Sequence, residues 1–433
     1  MESEIKDKIE NKEATIGIIG LGYVGLPLVL RFSSLGFPIV GFDIDSNKVQ
    51  MLARRETYLE HIPSERLNKE LHENCQFTSD FSRIGVVDVI IICVPTPLGS
   101  HNEPDLSFVT GTVDSITPYL RAHQVISLES TTYPGTTEEE IVSKVECQGF
   151  TVGDDLFVLY SPEREDPGNK DYTTSTIPKV VGGHTRQCLD VGIALYSSVI
   201  DTVIPVSSTK VAEMTKLLEN IYRSVNIGLV NELKLATAKM GIDIYEVINA
   251  AATKPFGFTP FYPGPGLGGH CIPIDPYYLT WKAREYNVHT RFIELAGEVN
   301  SAMPRYVVER TILALNSRSK SAHGSRILIL GVAYKPDVDD MRESPAMDIM
   351  VNLAEMGAKV EYHDPHVDVI PKMRKYDLQL SSIPLTQDVL EHYDAVVLIT
   401  NHSSIDYDLV NENAQLIIDT RGVFAASPKV VKA

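Results

Sequence analysis

Short apolar runs alternate with amphipathic stretches along most of the chain. The run ATIGIIG, residues 14–20, is rich in isoleucine and has no polar face, the pattern of a parallel strand buried on both sides. GLGYVG follows at once, then the apolar helix LPLVLRFSSLG, then a second strand, FPIVGFD, ending at Asp43. Further strands are predicted at VVDVIIICVP, which ends in a turn at Pro95 and Pro97, and at QVISLES and LFVLYSPE. This alternation is the doubly wound α/β pattern. The middle of the chain changes character. From Ser208 to Met240 no proline intervenes and apolar residues recur at three and four, which predicts one long helix. A second helical tract covers roughly Thr290 to Leu315, with Pro304 as a place for a kink. Between them runs KPFGFTPFYPGPGLGGHCIPIDPYY, rich in Gly, Pro and aromatic residues. At SRILILG, residues 325–331, the α/β pattern restarts, with strands predicted at KVEYHDP, DAVVLIT and AQLIIDT.

The expected fold is therefore α/β: two Rossmann-like doubly wound domains, 1–205 and 319–433, joined by a long-helix central region, 206–318. The third part opens like the first, with a strand ending in Gly, but its glycine loop is incomplete. That favours a nucleotide-bearing substrate over a second dinucleotide. Long helices with a large apolar share point to packing against a second copy, so a homodimer or higher homo-oligomer is expected; the alternative is a helical core inside one chain.

Composition narrows the function classes. With 433 residues, 43% apolar and 22% charged, the chain reads as a multidomain globular protein. A net charge of -18 argues against nucleic acid or an anionic membrane as partner, since both select clustered Lys and Arg. A small anion remains admissible, because helix N-termini and one or two Arg can hold a phosphate. Five cysteines without a CxxC pair suit a reducing compartment, the N-terminus lacks the apolar core of a signal peptide, and no run reaches the length of a membrane span; a cytoplasmic location is expected.

Gly20, Gly22 and Gly25 form GxGxxG between a strand and a helix. The first permits the tight turn, the second lets a pyrophosphate approach the backbone, and the third lets helix and sheet pack closely. Asp43, eighteen positions after Gly25, ends the next strand, where a carboxylate accepts from ribose hydroxyls and repels a 2′-phosphate. This favours NAD over NADP, although FAD shares the fingerprint.

Cys271 follows Gly264, Gly266, Gly268 and Gly269, a loop whose amides could wrap an oxyanion. His270 precedes it and Asp275 lies four positions on. Two readings stand: a nucleophilic thiolate, or a small buried hydrophobe. His270 is open between a base and a satisfied histidine. Thr131 in STTYPGT, and Glu163 and Arg164 in SPERE, follow strands, where open α/β sheets border their ligands. Lys216 and Asn220 are four apart on one helix face and could steady an oxyanion or a water; a solvated face is the alternative. His363 and His366 flank Asp364 as a loop pair, and no metal is expected.

Seven ordered stretches, GIIGLGYVGLP, IIICVPTP, ESTTYPGT, SPER, AEMTKLLEN, GPGLGGHCIPIDP and GVAYKPDVDDMRESP, resemble the UDP-glucose/GDP-mannose dehydrogenase family over essentially the whole chain. HCIPIDP is similar to its N-acetylhexosamine branch, whereas the UDP-glucose branch usually has Ser before the nucleophile and a Lys after it. The resemblance implies four-electron oxidation of the C6 alcohol of a UDP-N-acetylhexosamine, with UDP-N-acetyl-D-glucosamine first and the N-acetylmannosamine, N-acetylgalactosamine and glucose analogues behind it. It implies Cys271 as nucleophile, Lys216 as catalytic lysine, Asn220 as its oxyanion partner, Asp275 and Thr131 as water-positioning residues, and Glu163 as the acid linked to thioester hydrolysis. The expected NAD contacts are Gly20, Gly22, Tyr23, Val24, Gly25, Asp43, Pro95, Thr96, Thr131, Lys335 and Arg342. The expected sugar-nucleotide contacts are Glu163, Arg164, Lys216, Asn220, Tyr262, Gly266, Gly268, His270 and Lys335. Some relatives carry an arginine upstream of the glycine loop that reaches the partner subunit's site; KPFGF stands there, with Lys254. Two rivals remain: a two-electron dehydrogenase of a small hydroxy acid, and a regulatory protein that binds NAD or a nucleotide sugar without turnover.

Overall fold

The computed structural model describes residues 2–59, 62–99, 101–164, 172–269, 271–373 and 375–433. These form two compact units. One comprises residues 1–219 and 277–288, the other residues 220–276 and 289–433.

The first unit is built on an eight-stranded sheet. Its strands are β1 (Ile16–Ile19), β2 (Ile39–Phe42), β3 (Cys75–Thr78), β4 (Val89–Ile92), β5 (Val125–Leu128), β6 (Phe157–Tyr160), β7 (Lys179–Gly183) and β8 (Val203–Val206). The order is β3-β2-β1-β4-β5-β6-β7-β8. Ile16 lies opposite Ile39 on one side and Val89 on the other, and β1, β2, β4, β5 and β6 are buried at every position. That is why they read as continuous apolar runs. All neighbours are parallel except β6 and β7, where Tyr160 faces Gly182 in antiparallel register. The reversal puts the first residue of β7 at the edge where β1 and β4 to β6 end. Loops at that edge are the ones that meet ligands in open α/β sheets.

The second unit carries a five-stranded parallel sheet, β9 (Arg326–Leu330), β10 (Lys359–His363), β11 (Ala395–Leu398), β12 (Ile417–Asp419) and β13 (Val430–Lys432), in the order β10-β9-β11-β12-β13. The helix Pro345–Glu355 packs on it through Ala346, Met347, Ile349, Met350 and Leu353. The helix Arg291–Asn316 contains Pro304 and buries Val307, Val308 and Leu315 in the same core. The expected α/β, helical, α/β succession is present, and the helix predicted from Ser208 spans Thr209–Met240. No helix among the described residues is long and apolar enough to cross a membrane.

Candidate active site

The nucleotide loop of the first unit shows a different need at each glycine. Gly20 has φ +91, and a Cβ there would stand 2.6 Å from the Cys93 carbonyl oxygen. A Cβ at Gly25 would stand 1.9 Å from the Gly20 carbonyl oxygen. At Gly22 a Cβ would meet nothing within 4 Å. The chain's own packing therefore explains the outer two glycines, and the middle one leaves the backbone open to something outside the chain, as a pyrophosphate requires. Asp43 is buried after β2; its Oδ2 accepts from the Leu21 amide at 2.9 Å and its Oδ1 from the Asp45 amide at 2.9 Å. Lys48 Nζ is 3.7 Å from Oδ2. The Tyr58 hydroxyl donates to the Leu21 carbonyl, and burial, then Asp43 and Asp45, push that phenol well above its ordinary range. This acid-bearing turn fits a dinucleotide ribose. Tyr23 and Val24 pack half-buried on the core below. Pro95 is exposed and Thr96 buried in the turn after β4, and the Ser130 hydroxyl ties that turn to Thr131's loop by donating to Val94 O at 2.7 Å.

The loop after β6 holds Glu163. Its Oε1 accepts from the Arg164 amide at 2.6 Å, its Oε2 lies 3.4 Å from Lys179 Nζ, and its carbonyl accepts from Lys216 Nζ. Lys216 and Glu163 are thus brought together through the backbone carbonyl rather than as an ion pair. The Arg164 guanidinium grips both oxygens of Glu219 and donates to Pro178 O. Two buried carboxylates in this region were not anticipated. Glu213, three residues before Lys216, accepts from the Gly135 amide at 2.6 Å, the Thr137 amide at 2.9 Å and the Thr137 hydroxyl at 2.7 Å. It ties the long helix to the loop that follows β5. Burial pushes its carboxyl up to about 7, against the pull of those three donors. Glu129, just after β5, pairs with Lys179 at 2.9 Å.

In the second unit, Cys271 is half-buried and its carbonyl accepts from the amides of Ile274 and Asp275, at 3.1 and 2.8 Å. This turn feeds the helix Asp275–Glu285, whose first residue, Asp275, is buried and accepts from the Asn220 side-chain amide. The glycines before Cys271 serve close packing. A Cβ at Gly264 would be 2.8 Å from Arg421 Nη1, at Gly266 3.1 Å from Pro345, at Gly268 2.6 Å from Tyr334 Cβ, and at Gly269 2.9 Å from the Tyr334 ring. The Gly269 amide donates to Arg342 O at 2.8 Å, and the Gly264 amide to Asn231 Oδ1 at 3.0 Å. His270 lies outside the described residues. Tyr262 is exposed, and its hydroxyl donates to Asn249. Lys335 sits 5.8 Å over the Tyr334 ring, and Arg342 grips Asp340 with two nitrogens. Lys254 is exposed, with Nζ 5.2 Å over the Phe256 ring.

The second unit repeats the clasp of the first in altered form. Gly331 has φ +80 and would press a Cβ to 2.4 Å from the Thr400 carbonyl oxygen. Asp364 Oδ2 accepts from the Val332 and Ala333 amides, and Oδ1 from the His366 amide. Here His402 Nε2 also binds Oδ2, at 3.1 Å, while its Nδ1 accepts from the Asp337 amide at 3.0 Å. A buried histidine thus hydrogen-bonds this carboxylate, where Asp43 of the first unit has the partly exposed Lys48 at 3.7 Å. Asp337, His366 and His402 offer ligand atoms within 4.8 Å of one another, but both His402 nitrogens already have protein partners. Arg421 was missed from the sequence. It lies two residues past the end of β12, donates through Nε to Ile399 O at 2.6 Å and faces Gly264. Its position after a strand was the available signal.

Residues 14–200 match the NAD binding domain of the UDP-glucose/GDP-mannose dehydrogenase family, residues 210–302 its central domain and residues 328–426 its UDP binding domain. The UDP-N-acetyl-D-glucosamine 6-dehydrogenase of Pseudomonas aeruginosa is 36% identical over 394 residues, covering 90% of this chain and 91% of that protein. The UDP-N-acetyl-D-mannosamine dehydrogenase of Escherichia coli (strain K12) is 32% identical over 426 residues, covering 95% and 99%. The solved UDP-D-ManNAc dehydrogenase of Pyrococcus horikoshii superposes with a TM-score of 0.86 at 30% identity, covering 96% of this chain and 97% of that one. Similar relatives thus divide between glucosamine and mannosamine enzymes.

Proposed function

Because this chain belongs to the UDP-glucose/GDP-mannose dehydrogenase family, we propose that it oxidises the C6 alcohol of a UDP-N-acetylhexosamine to the carboxylate through a covalent intermediate on Cys271. The observation that carries this is the turn in which the Cys271 carbonyl anchors the amide of Asp275, whose carboxylate holds Asn220. It links Cys271, Asp275 and Asn220 through one backbone turn, which supports a nucleophile working with an acid and an amide that could orient water and oxyanion. NAD would be held by Gly20, Gly22, Gly25 and Asp43, with Tyr23, Val24, Pro95, Thr96 and Thr131 as its further expected contacts, and when bound would supply the hydride acceptor for both oxidations.

The chain's own groups do the rest. Lys216, fixed on the Glu163 carbonyl, assists removal of the alcohol proton as hydride leaves C6. The Cys271 sulfur bonds to the aldehyde carbon, giving a thiohemiacetal steadied by Asn220. A second hydride loss leaves a thioester. Water, oriented by Asp275, Thr131 or Glu163, adds to it, the C–S bond breaks and the thiol is regenerated. One alcohol, one water and two NAD+ give one carboxylate, two NADH and three protons, and the aldehyde stays bonded between oxidations. Arg421 and Lys335 take the diphosphate end of the substrate, Lys335 and Arg342 stay as NAD contacts, and Tyr262, Arg164 and the loop of Gly266 and Gly268 border the sugar.

UDP-N-acetyl-D-glucosamine is the substrate we assign first, and UDP-N-acetyl-D-mannosamine second, since the relatives divide between them. We assign a homodimer, with the exposed residues of Thr209–Met240 as its seam. A panel of UDP sugars with NAD, read at the NADH absorbance, tests the substrate; a clear preference for UDP-glucose would refute it, and one NADH per sugar would refute four-electron chemistry. Cys271→Ser should keep NAD affinity and stop acid formation; acid released at the parental rate would rule out the covalent route.

A further inference from the structure

Lys179 opens β7 and is almost completely buried. Continuing the antiparallel register past Tyr160 and Gly182 brings it level with Glu163. Its Nζ is 2.9 Å from Glu129 Oε2 and 3.4 Å from Glu163 Oε2, and it sits 5.0 Å over the Tyr196 ring. Glu129 is immobilised from its other oxygen by the Tyr196 hydroxyl at 2.5 Å, which in turn meets the Ser127 hydroxyl at 2.7 Å. The ammonium is therefore tethered to a rigid partner in the interior and extends one contact outward, to the carboxylate beside the Lys216 anchor.

We propose that Lys179 is a positioning residue, which fixes the Glu163 carboxylate for the water-dependent release of the acid. The proposal rests on the dehydrogenase reading above for the reaction, and on the described geometry for the contact. One ammonium faces two carboxylates. Among the described residues, the Cys93 thiol after β4 and Tyr196 on the helix Arg186–Ser197 also face it; Lys216 is held on the Glu163 carbonyl, and Arg164, engaged by Glu219, donates to the neighbouring Pro178 carbonyl. Burial works against the charge on Lys179, but Glu129 and Glu163 outweigh it and hold the amine above the ordinary lysine range. Burial raises Glu129, with Lys179 opposing. Without the ammonium, Glu163 would keep the Arg164 amide but lose the cation between it and Glu129, and so hold a proton to higher pH.

The test compares Lys179→Met, Lys179→Arg and the double variant Lys179→Met/Glu129→Gln, which removes both charges of the buried pair and so guards against a folding failure. With the preferred UDP sugar and NAD, the double variant should keep its KM within about twofold and lose roughly tenfold or more in kcat. The sugar adduct on Cys271 should accumulate by intact mass in the double variant, and in Lys179→Met, where Glu129 keeps its carboxyl, the acid limb of kcat should also move to higher pH. Lys179→Arg should restore both. Parental kcat in the double variant, or a parental pH profile in Lys179→Met, would overturn the proposal. A readout independent of turnover accompanies this: the carboxyl 13C resonance of Glu163, assigned with Glu163→Gln, should titrate at higher pH in Lys179→Met, and an unmoved titration also overturns it. Failure of the parent to form NADH with any UDP sugar would instead overturn the dehydrogenase reading, and the carboxyl titration would still decide the role of Lys179.

Discussion

Glu213 makes its proton a measurable part of folding. An ordinary glutamate titrates near 4.5, and burial lifts this one to about 7. Below pH 4.5 the folded and unfolded chains both carry the proton. Between 4.5 and 7 the unfolded chain releases it while the folded chain keeps it, so stability falls as pH rises through that window, by something on the order of 3 kcal/mol in total. Glu213→Gln cannot titrate. Its melting temperature relative to the parent should therefore rise from pH 4.5 to 7 and level off above; a constant difference would show that Glu213 is ionised throughout. The residue scale also marks what a sequence can reveal. Gly20, Gly22, Gly25 and Asp43 were legible because a turn, a helix start and a strand end impose their needs locally. Glu213 and Lys179 were not, because their partners are 78 and 50 residues away, and an acid in a helix or a lysine before two valines carries no local trace of them.

Elements differ in legibility for a similar reason. The strands buried at every position announced themselves as apolar runs. β3, CQFT, and β8, VIPV, lie at the two edges of the first sheet and are only partly buried; β3 mixes polar with apolar residues, and β8 is apolar but broken by Pro205. β7, KVVGG, ends in two glycines that resemble a turn. The helix Glu2–Glu10 buries only Ile5 and Ile9 in a charged segment, too sparse a stripe to predict. The glycine run before Cys271 was recognised as unusual, but its packing against Tyr334, Pro345 and Arg421 needed the fold. Gly268→Ala tests that packing. Its new Cβ would meet Tyr334 Cβ at 2.6 Å, and neither atom can turn away by changing rotamer. We expect roughly 1 to 3 kcal/mol of destabilisation and a fall in kcat with NAD affinity kept. Parental kcat and melting temperature together would show that the loop yields freely.

At the scale of the whole molecule, the long helix has a surface its own chain leaves open. Val211, Leu218, Tyr222, Leu229, Leu233 and Met240 are exposed and follow steps of seven, four, seven, four and seven. That spacing stays close to the helical repeat of about 3.6 residues per turn, so the apolar stripe runs straight down one face. Leu218→Glu with Leu229→Glu should halve the mass seen by light scattering in solution; an unchanged mass would remove this face from the interface. The succession of α/β, helical and α/β parts was legible from changes in hydrophobic period, but the grouping of residues 277–288 with the first unit was not. That grouping bears on how the protein is made. β1 is the founding strand of the first sheet, and each strand from β2 to β8 joins an edge already present, so the sheet can grow in the order of synthesis. Tyr278 on Pro97, Trp281 tilted against Tyr133 with ring centroids 5.3 Å apart, and Lys282 on Glu139 belong to the same unit but leave the ribosome only after the Cys271 loop. Until they arrive, the nascent first unit displays Tyr133 and its neighbours uncovered, a window in which chaperones and proteases meet a surface that the finished protein hides.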